Sequence, residues 1–257
     1  MAQPNKIKKP SFFWLATEIG RAITELGIST PYRKFFHKNY KGDGHPVLVL
    51  PGFMATDMST GPLRTFIEKM GYDVYAWELG RNKARLETLY ILMDKLEDIY
   101  NETGQEVTII GWSLGGVYAR QIAKEKPDMV RQVITMGSPF RGISQPNNAT
   151  WIYNFISNGK RVVDLDPELL ADLPKPAPVP TTAIYSKEDG VVHWEVCMEE
   201  IEDDIHQNIQ VRGSHLGLGV NASVLHIIAD RLMYDKSNWA YFEPHSAVED
   251  LLLYPSF

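Results

Sequence analysis

One cysteine in 257 residues, Cys197, excludes an intrachain disulfide and leaves no basis for a thiolate metal site. It stands in "HWEVCMEEIEDDI", which reads as an acidic, helix-like surface segment and not as the setting of a nucleophile. Basic residues are outnumbered, 26 Lys and Arg against 32 Asp and Glu, and a net charge of −6 leaves no basic face for nucleic acid. Lys6, Lys8 and Lys9 form the one dense basic cluster and read as a solvated end. No apolar run approaches the roughly 20 residues that span a bilayer. The N-terminus also lacks the apolar core and small-residue cleavage site of a signal peptide, so the cytoplasm is the expected compartment. Asn101, Asn148 and Asn221 open glycosylation-type triplets that read as chance matches without such a signal. Internal repeats and low-complexity tracts are missing as well.

What is present is ordinary globular material, 44% hydrophobic and 23% charged. At this length a single α/β domain over residues 1–257 is expected, with ample substance for a core. From Ser11 to Gly27 the residues Phe12, Leu15, Ala16, Ile19, Ala22, Ile23 and Leu26 share one side of a helix. This stripe is expected to pack on the domain or on a second copy of it, which would make a homodimer. Phe12, Phe13 and Trp14 beside the lysines keep a second occupant open, a membrane surface touched peripherally.

From Pro46 onward short apolar runs alternate with longer periodic ones. Strands are expected at 47–50, 73–77, 107–110, 133–136, 183–185 and 209–211. Helices are expected at about 61–70, 82–100, 113–124 and 223–233. Alternation of this kind implies crossover connections and a mostly parallel sheet of about six strands with helices on both faces. Continuously apolar strands such as Val47-Leu48-Val49-Leu50 fit a sheet covered on both sides. Regular order lapses between about Arg141 and Pro180, where aromatics are scattered and "LPKPAPVP" intervenes.

The stretch "TIIGWSLGG", Thr108 to Gly116, runs from a buried strand straight into a serine fenced by glycines. It matches G-x-S-x-G, in which the serine occupies a strained strand-to-helix turn with its hydroxyl held above the sheet edge. Side chains two positions before or after would collide in so tight a turn, hence Gly111 and Gly115; Gly116 would let the helix pack closely on its neighbour. A hydroxyl needs an adjacent base oriented by a third group. Of seven histidines, His37 and His45 precede the first strand, His206 falls in the acidic stretch, His226 lies inside a helix and His245 in the tail. His215 differs: it stands in "VRGSHLGLG", just past the carboxyl end of the last expected strand, where open parallel sheets bind ligands. Asp189 in "AIYSKEDGVVHW" is the acid, preferred to Glu188, with Gly190 giving the tight turn that aims it. His193 is the second choice of base. The order Ser113, Asp189, His215 is that of the α/β-hydrolase triad and of no other serine hydrolase class considered. Oxyanion donors are expected from the Leu114 amide and, in "LPGFMATD", from Phe53, with Met54 as the fallback.

On these residues the chain resembles the α/β-hydrolase superfamily and, within it, the small bacterial lipase and esterase branch. "VLVLPGF", "IIGWSLGG", "YSKEDGVV" and "GSHLGLG" resemble that branch's oxyanion loop, nucleophile elbow, acid loop and histidine loop, covering about residues 46–233. Leu50-Pro51 stands where a histidine often precedes the oxyanion glycine, a departure that touches the loop's supporting bonds and not its backbone donors. The resemblance implies that the stretch 141–180 is a lid, with Trp151 and Phe155, together with Met54 and Trp112, lining an acyl site; an ordinary packed insertion is the competing reading. It further implies no metal and no organic cofactor, and a small-molecule or lipid ester as substrate. Three functions stay open: a serine carboxylester hydrolase acting on hydrophobic acyl esters through an acyl-serine intermediate, an acyltransferase with the same triad, and a non-catalytic binding protein on a hydrolase scaffold.

Overall fold

Six parallel strands, β1 (Pro46–Leu50), β2 (Asp73–Tyr75), β3 (Val107–Trp112), β4 (Val130–Met136), β5 (Thr181–Ser186) and β6 (His206–Val211), form one sheet in the order β2-β1-β3-β4-β5-β6. This is the α/β-hydrolase fold, seen in a computed structural model that describes residues 9–141, 167–244 and 253–255. Between the strands run α2 (Asp57–Lys69), α3 (Glu87–Thr103), α4 (Leu114–Glu125) and the short α5 (Pro167–Asp172). The helix α1 (Phe12–Asn39) precedes β1, and α6 (Ala222–Arg231) follows β6.

Alternation within β1 divides the core. Leu48 and Leu50 point to the face covered by α3 and α4, where Leu92, Leu96, Val117 and Ile122 pack. Val47 and Val49 point to the other, where α2 and α6 supply Leu63, Phe66, Leu225 and Ile228. Every residue of β1, β5 and β6 is buried, as a doubly covered parallel sheet requires. The chain reverses direction between β1 and β3: β2 lies on one side of β1, and the chain then crosses back to place β3 on the other. That switch point opens a crevice at the carboxyl ends of β1 and β3.

Several expectations are corrected. The N-terminal helix is longer than 11–27, passing through Pro31 to Asn39. Its apolar stripe does not pack on the protein: Phe12 is 81% exposed and Ile19 68%, while Glu18 and Ser29 are buried. Polar groups win that interface because the loops they meet present unpaired backbone N–H groups, which apolar side chains could not satisfy. The third helix starts at Glu87 and not at Asn82, because Asn82 is used in a turn. Cys197 is buried on a 3-10 turn, Trp194–Cys197, packed with Val192 and Val196. His206 opens β6, with its ring held by Asp203 and the Ala177 carbonyl. Within the 141–180 stretch, Leu173, Ala177 and Val179 sink into the core beside α4, so residues 167–180 form a packed wall. Residues 142–166, including Trp151 and Phe155, lie outside the described residues.

Candidate active site

Ser113 sits between the last residue of β3 and the first of α4, with φ 53° and ψ −121°. A non-glycine residue at positive φ costs on the order of 1–3 kcal/mol and persists only where its surroundings impose it. The imposing contacts are visible: the Ser113 amide donates to the Met136 carbonyl on β4 at 2.8 Å, and its own carbonyl accepts from Gly116 at 3.0 Å. A Cβ on Gly111 would run into the Gly116 backbone, and one on Gly115 into the Leu50 carbonyl. The hydroxyl does not cap the helix it introduces. A serine at a helix N-terminus ordinarily spends its oxygen that way; this one is left for another use.

Asp189 follows β5 and His215 follows β6. Asp189 Oδ1 accepts from the amides of Val191 and Val192, both at 2.7 Å, which fixes the carboxylate and leaves Oδ2 facing His215 Nδ1 at 2.6 Å. Both side chains are almost fully buried. An ionised carboxylate only accepts, so Nδ1 carries the proton and the lone pair falls on Nε2. The ring lies over Gly137, where a Cβ would come within 3.0 Å of Nδ1. Gly137 follows Met136, the register partner of Trp112, so the imidazole and Ser113 occupy the same rim, one strand apart. Trp112 reinforces this by donating its indole N–H to the His215 carbonyl at 3.1 Å, which makes it a support of the histidine loop. Burial alone would depress the His215 pKa, but the charge and hydrogen bond of Asp189, helped by the charge of Glu18, raise it above the usual histidine value.

The other histidines among the described residues are occupied elsewhere. His45 bonds Asp43 and Thr108, His226 lies between Tyr40 and Tyr254, and His193 caps the 3-10 turn through Nδ1. Glu188 turns away from the imidazole toward Arg21 and Arg212. Gly190 has an ordinary φ; its reason is proximity, since a Cβ there would strike the α1 backbone at Trp14 and Leu15.

The loop after β1 passes directly over the serine, with the Cβ position of Gly52 only 3.2 Å from Ser113 Cβ. Leu114, first residue of α4, has no acceptor for its amide within the helix. Met54 has φ 55° and donates its amide to the Asn82 carbonyl at 2.7 Å, so the fallback donor is committed. Phe53 holds the position expected for the second donor; the side chains of Phe53 and Met54 are both exposed. Asn82, fully buried, also donates Nδ2 to the Pro51 carbonyl at 2.9 Å and accepts from the Ala84 amide at 3.1 Å. No sequence signal marks Asn82 for this role, since asparagine serves turns and helix starts alike. Among the described residues no group of three His, Cys, Asp or Glu side chains could hold a metal ion, and no helix is long and apolar enough to cross a membrane.

Solved structures resemble this chain at the level of fold. Lipase B of Aspergillus fumigatus superposes with a TM-score of 0.56 at 18% identity over 84% of this chain, which spans 61% of that lipase's length. The monoacylglycerol lipase of Paleococcus ferrophilus gives 0.55 at 15% identity, covering 73% of this chain and 93% of that one. An α/β superfamily hydrolase of Oenococcus oeni PSU-1 gives 0.57 at 14%, with 75% and 94% covered. No curated protein matches the sequence. The palmitoyl protein thioesterase family pattern, in contrast, matches residues 46–187, more than half of the chain, from β1 through the elbow to the start of the acid loop. The chain therefore belongs to the palmitoyl protein thioesterase family, within the α/β-hydrolases.

Proposed function

We propose that the protein is a serine hydrolase that removes hydrophobic acyl groups from ester or thioester linkage through an acyl-serine intermediate. Ser113 is the nucleophile, His215 the general base and then the general acid, and Asp189 the group that orients the imidazole and balances its charge. The observation that carries this reading is the 2.6 Å contact between Asp189 Oδ2 and His215 Nδ1, made on the rim where Ser113 is held at positive φ.

With the proton on Nδ1, Nε2 takes the proton of the Ser113 hydroxyl as Oγ attacks the acyl carbon. The carbonyl oxygen becomes an oxyanion, for which the amides of Leu114 and Phe53 are the donors. As the intermediate collapses, the bond to the alcohol or thiol breaks and the imidazolium returns its proton to that leaving group. Water then repeats the sequence on the acyl-serine, releasing the acid and restoring Ser113. The family membership and the exposed Phe53 and Met54 beside the serine support an apolar acyl group.

The test is turnover of acyl esters and acyl thioesters of graded chain length by the wild type and by Ser113→Ala. Wild-type activity should increase with chain length, and Ser113→Ala should lose it while keeping its thermal midpoint. Undiminished turnover by folded Ser113→Ala overturns the mechanism.

A further inference from the structure

The carboxylate of Glu18, only 2% exposed, reaches from α1 to both loops that carry the proposed acid and base. Oε1 accepts from the amide of Gly190 at 2.9 Å and from the amide of His215 at 3.1 Å; Oε2 accepts from the amide of Leu216 at 2.9 Å. Arg21, one turn further along α1, donates to Oε1 at 3.0 Å and to the Glu188 carbonyl at 2.9 Å. Glu25, two turns from Glu18, accepts from the Ser214 amide at 2.8 Å and from Asn221 at 3.0 Å. Four successive or near-successive features of the catalytic rim, residues 188, 190, 214 to 216 and 221, are thus hung on three side chains of one helix.

This is an unusual assignment for an amphipathic helix. Its apolar stripe faces outward, and its polar edge is buried. The energetic reason is that three loop amides, those of Gly190 and His215 buried and that of Leu216 partly so, are met by one carboxylate, the side chain able to receive all of them at once. Fit is close as well. There is no room for a Cβ on Gly190 against the backbone of α1, nor for one on Gly217 against Glu25. Helix α1 lies wholly outside residues 46–187, the part of the chain matched by the family pattern.

We infer that Glu18 is a positioning residue of the active site, holding the acid loop and the histidine loop in the relative register that the Asp189–His215 contact requires. The inference rests on the assignment of Ser113, Asp189 and His215 above. Glu18 touches no reacting atom. It acts through the backbone of residue 215 and, as a buried charge near the ring, through the basicity of the imidazole. The charged or titratable groups around that ring are Asp189 from the acid loop and Glu18 from α1, with Arg21 against Glu18, Glu25 at Ser214, and His193 and Cys197 within the field of Asp189.

The experiment is Glu18→Gln in the full chain, assayed for kcat, KM and the pH dependence of kcat/KM. Glutamine keeps the volume but sets an NH2 against amide donors and removes the charge. Because displacements of about 1 Å at a reacting group can cost 100-fold, kcat should fall roughly 10- to 100-fold with KM changed by no more than about twofold. The acid limb should move to lower pH, since one of the charges that raise His215 is gone. Glu25→Gln is the comparison: it loosens the same helix, so it should lower the thermal midpoint without moving the acid limb. A wild-type kcat and pH profile in Glu18→Gln overturns the inference, as does an equal acid-limb shift in both variants. If Glu18→Gln does not fold, Arg21→Met, which frees Glu18 from its guanidinium, should slow fluorophosphonate labelling of Ser113; labelling at the wild-type rate overturns the inference. Turnover by Ser113→Ala would instead overturn the mechanism beneath it, so the two failures are distinguishable.

Discussion

The amide of Met54 donates to the carbonyl of Asn82 at 2.7 Å, across 28 residues of chain. That single bond commits the Met54 amide and braces the loop after β1, whose Gly52 lies against Ser113. Asn82 returns the favour with its side chain, donating to Pro51 and accepting from Ala84. The loop after β1 is therefore shaped by a buried residue 28 positions further along the chain.

Asn82→Ala should expose this dependence. Loss of two buried hydrogen bonds, with the Pro51 carbonyl and the Ala84 amide left unpaired, should cost about 1–3 kcal/mol per orphaned group. Freed from Pro51, the loop should also present Phe53 less accurately, so kcat should fall while KM changes little. Denaturant unfolding and steady-state kinetics on the same preparation check both halves. A variant as stable and as fast as the wild type would show that the loop holds its shape without Asn82.

The pH profile follows from the sign of the His215 shift. A general base works only when neutral, so activity should fall as the pH drops through the raised His215 value. The acid limb of kcat/KM should lie above the ordinary histidine value of about 6.5. Asp189→Asn removes both influences of Asp189 and leaves burial dominant, which should carry the limb below that value and cost roughly 10⁴-fold in kcat. The linkage to stability runs the same way: the imidazolium stabilises the fold below about pH 6.5, and that contribution fades as pH rises through the raised value. Kinetics and denaturant unfolding across pH 5 to 9 test the two readings together.

The sheet was legible because its strands are short, apolar and separated by helices of ordinary length, and a buried parallel strand leaves few other interpretations. The grouping of Ser113, Asp189 and His215 at one rim was legible for a related reason: each follows directly on a strand, and parallel strands bring their carboxyl ends together. What could not be read were the polar contacts made across long sequence distances. Glu18 carried no signal in the sequence, because periodicity reveals which residues share a face and not which face is buried. The expectation that the apolar stripe packs on the domain itself failed for that reason, and its other two occupants are not tested by the exposed stripe. Cys197 was misplaced on the surface because its segment is acidic in composition, whereas Val196 and Cys197 point inward from the 3-10 turn to pack with Val192.

The burial of Cys197 makes its own prediction. Enclosure pushes its thiol well above the ordinary cysteine pKa, with the charge of Asp189 adding to the effect. A disulfide-exchange reagent should leave the folded protein unmodified and react with one thiol on unfolding. Cys197→Ala should keep full turnover. Rapid modification of the native protein, coupled to loss of activity, would instead place a reactive thiol at or near the site.

Two turns along α4 from Ser113, Arg120 lies in a buried ion pair with Glu199, a second contact of which measures 3.2 Å, and its guanidinium stacks over Phe140 at 3.8 Å. It also donates to the Lys175 carbonyl at 2.7 Å, tying α4 to the 167–180 wall. Burial pulls Arg120 down to about 9 against the opposing charge of Asp172, so it stays protonated at neutral pH and needs its partner. Glu199→Gln strands that charge, and removing one member of a buried pair costs about 3–5 kcal/mol. Arg120→Met together with Glu199→Gln removes the charge as well, and should recover much of the loss. Because α4 begins at Leu114, a proposed oxyanion donor, the single variant should also lower kcat while the double variant restores it in part. Thermal midpoints and kcat for the four members of this cycle decide the matter: additive losses would mean that the ion pair contributes nothing to holding the elbow in place.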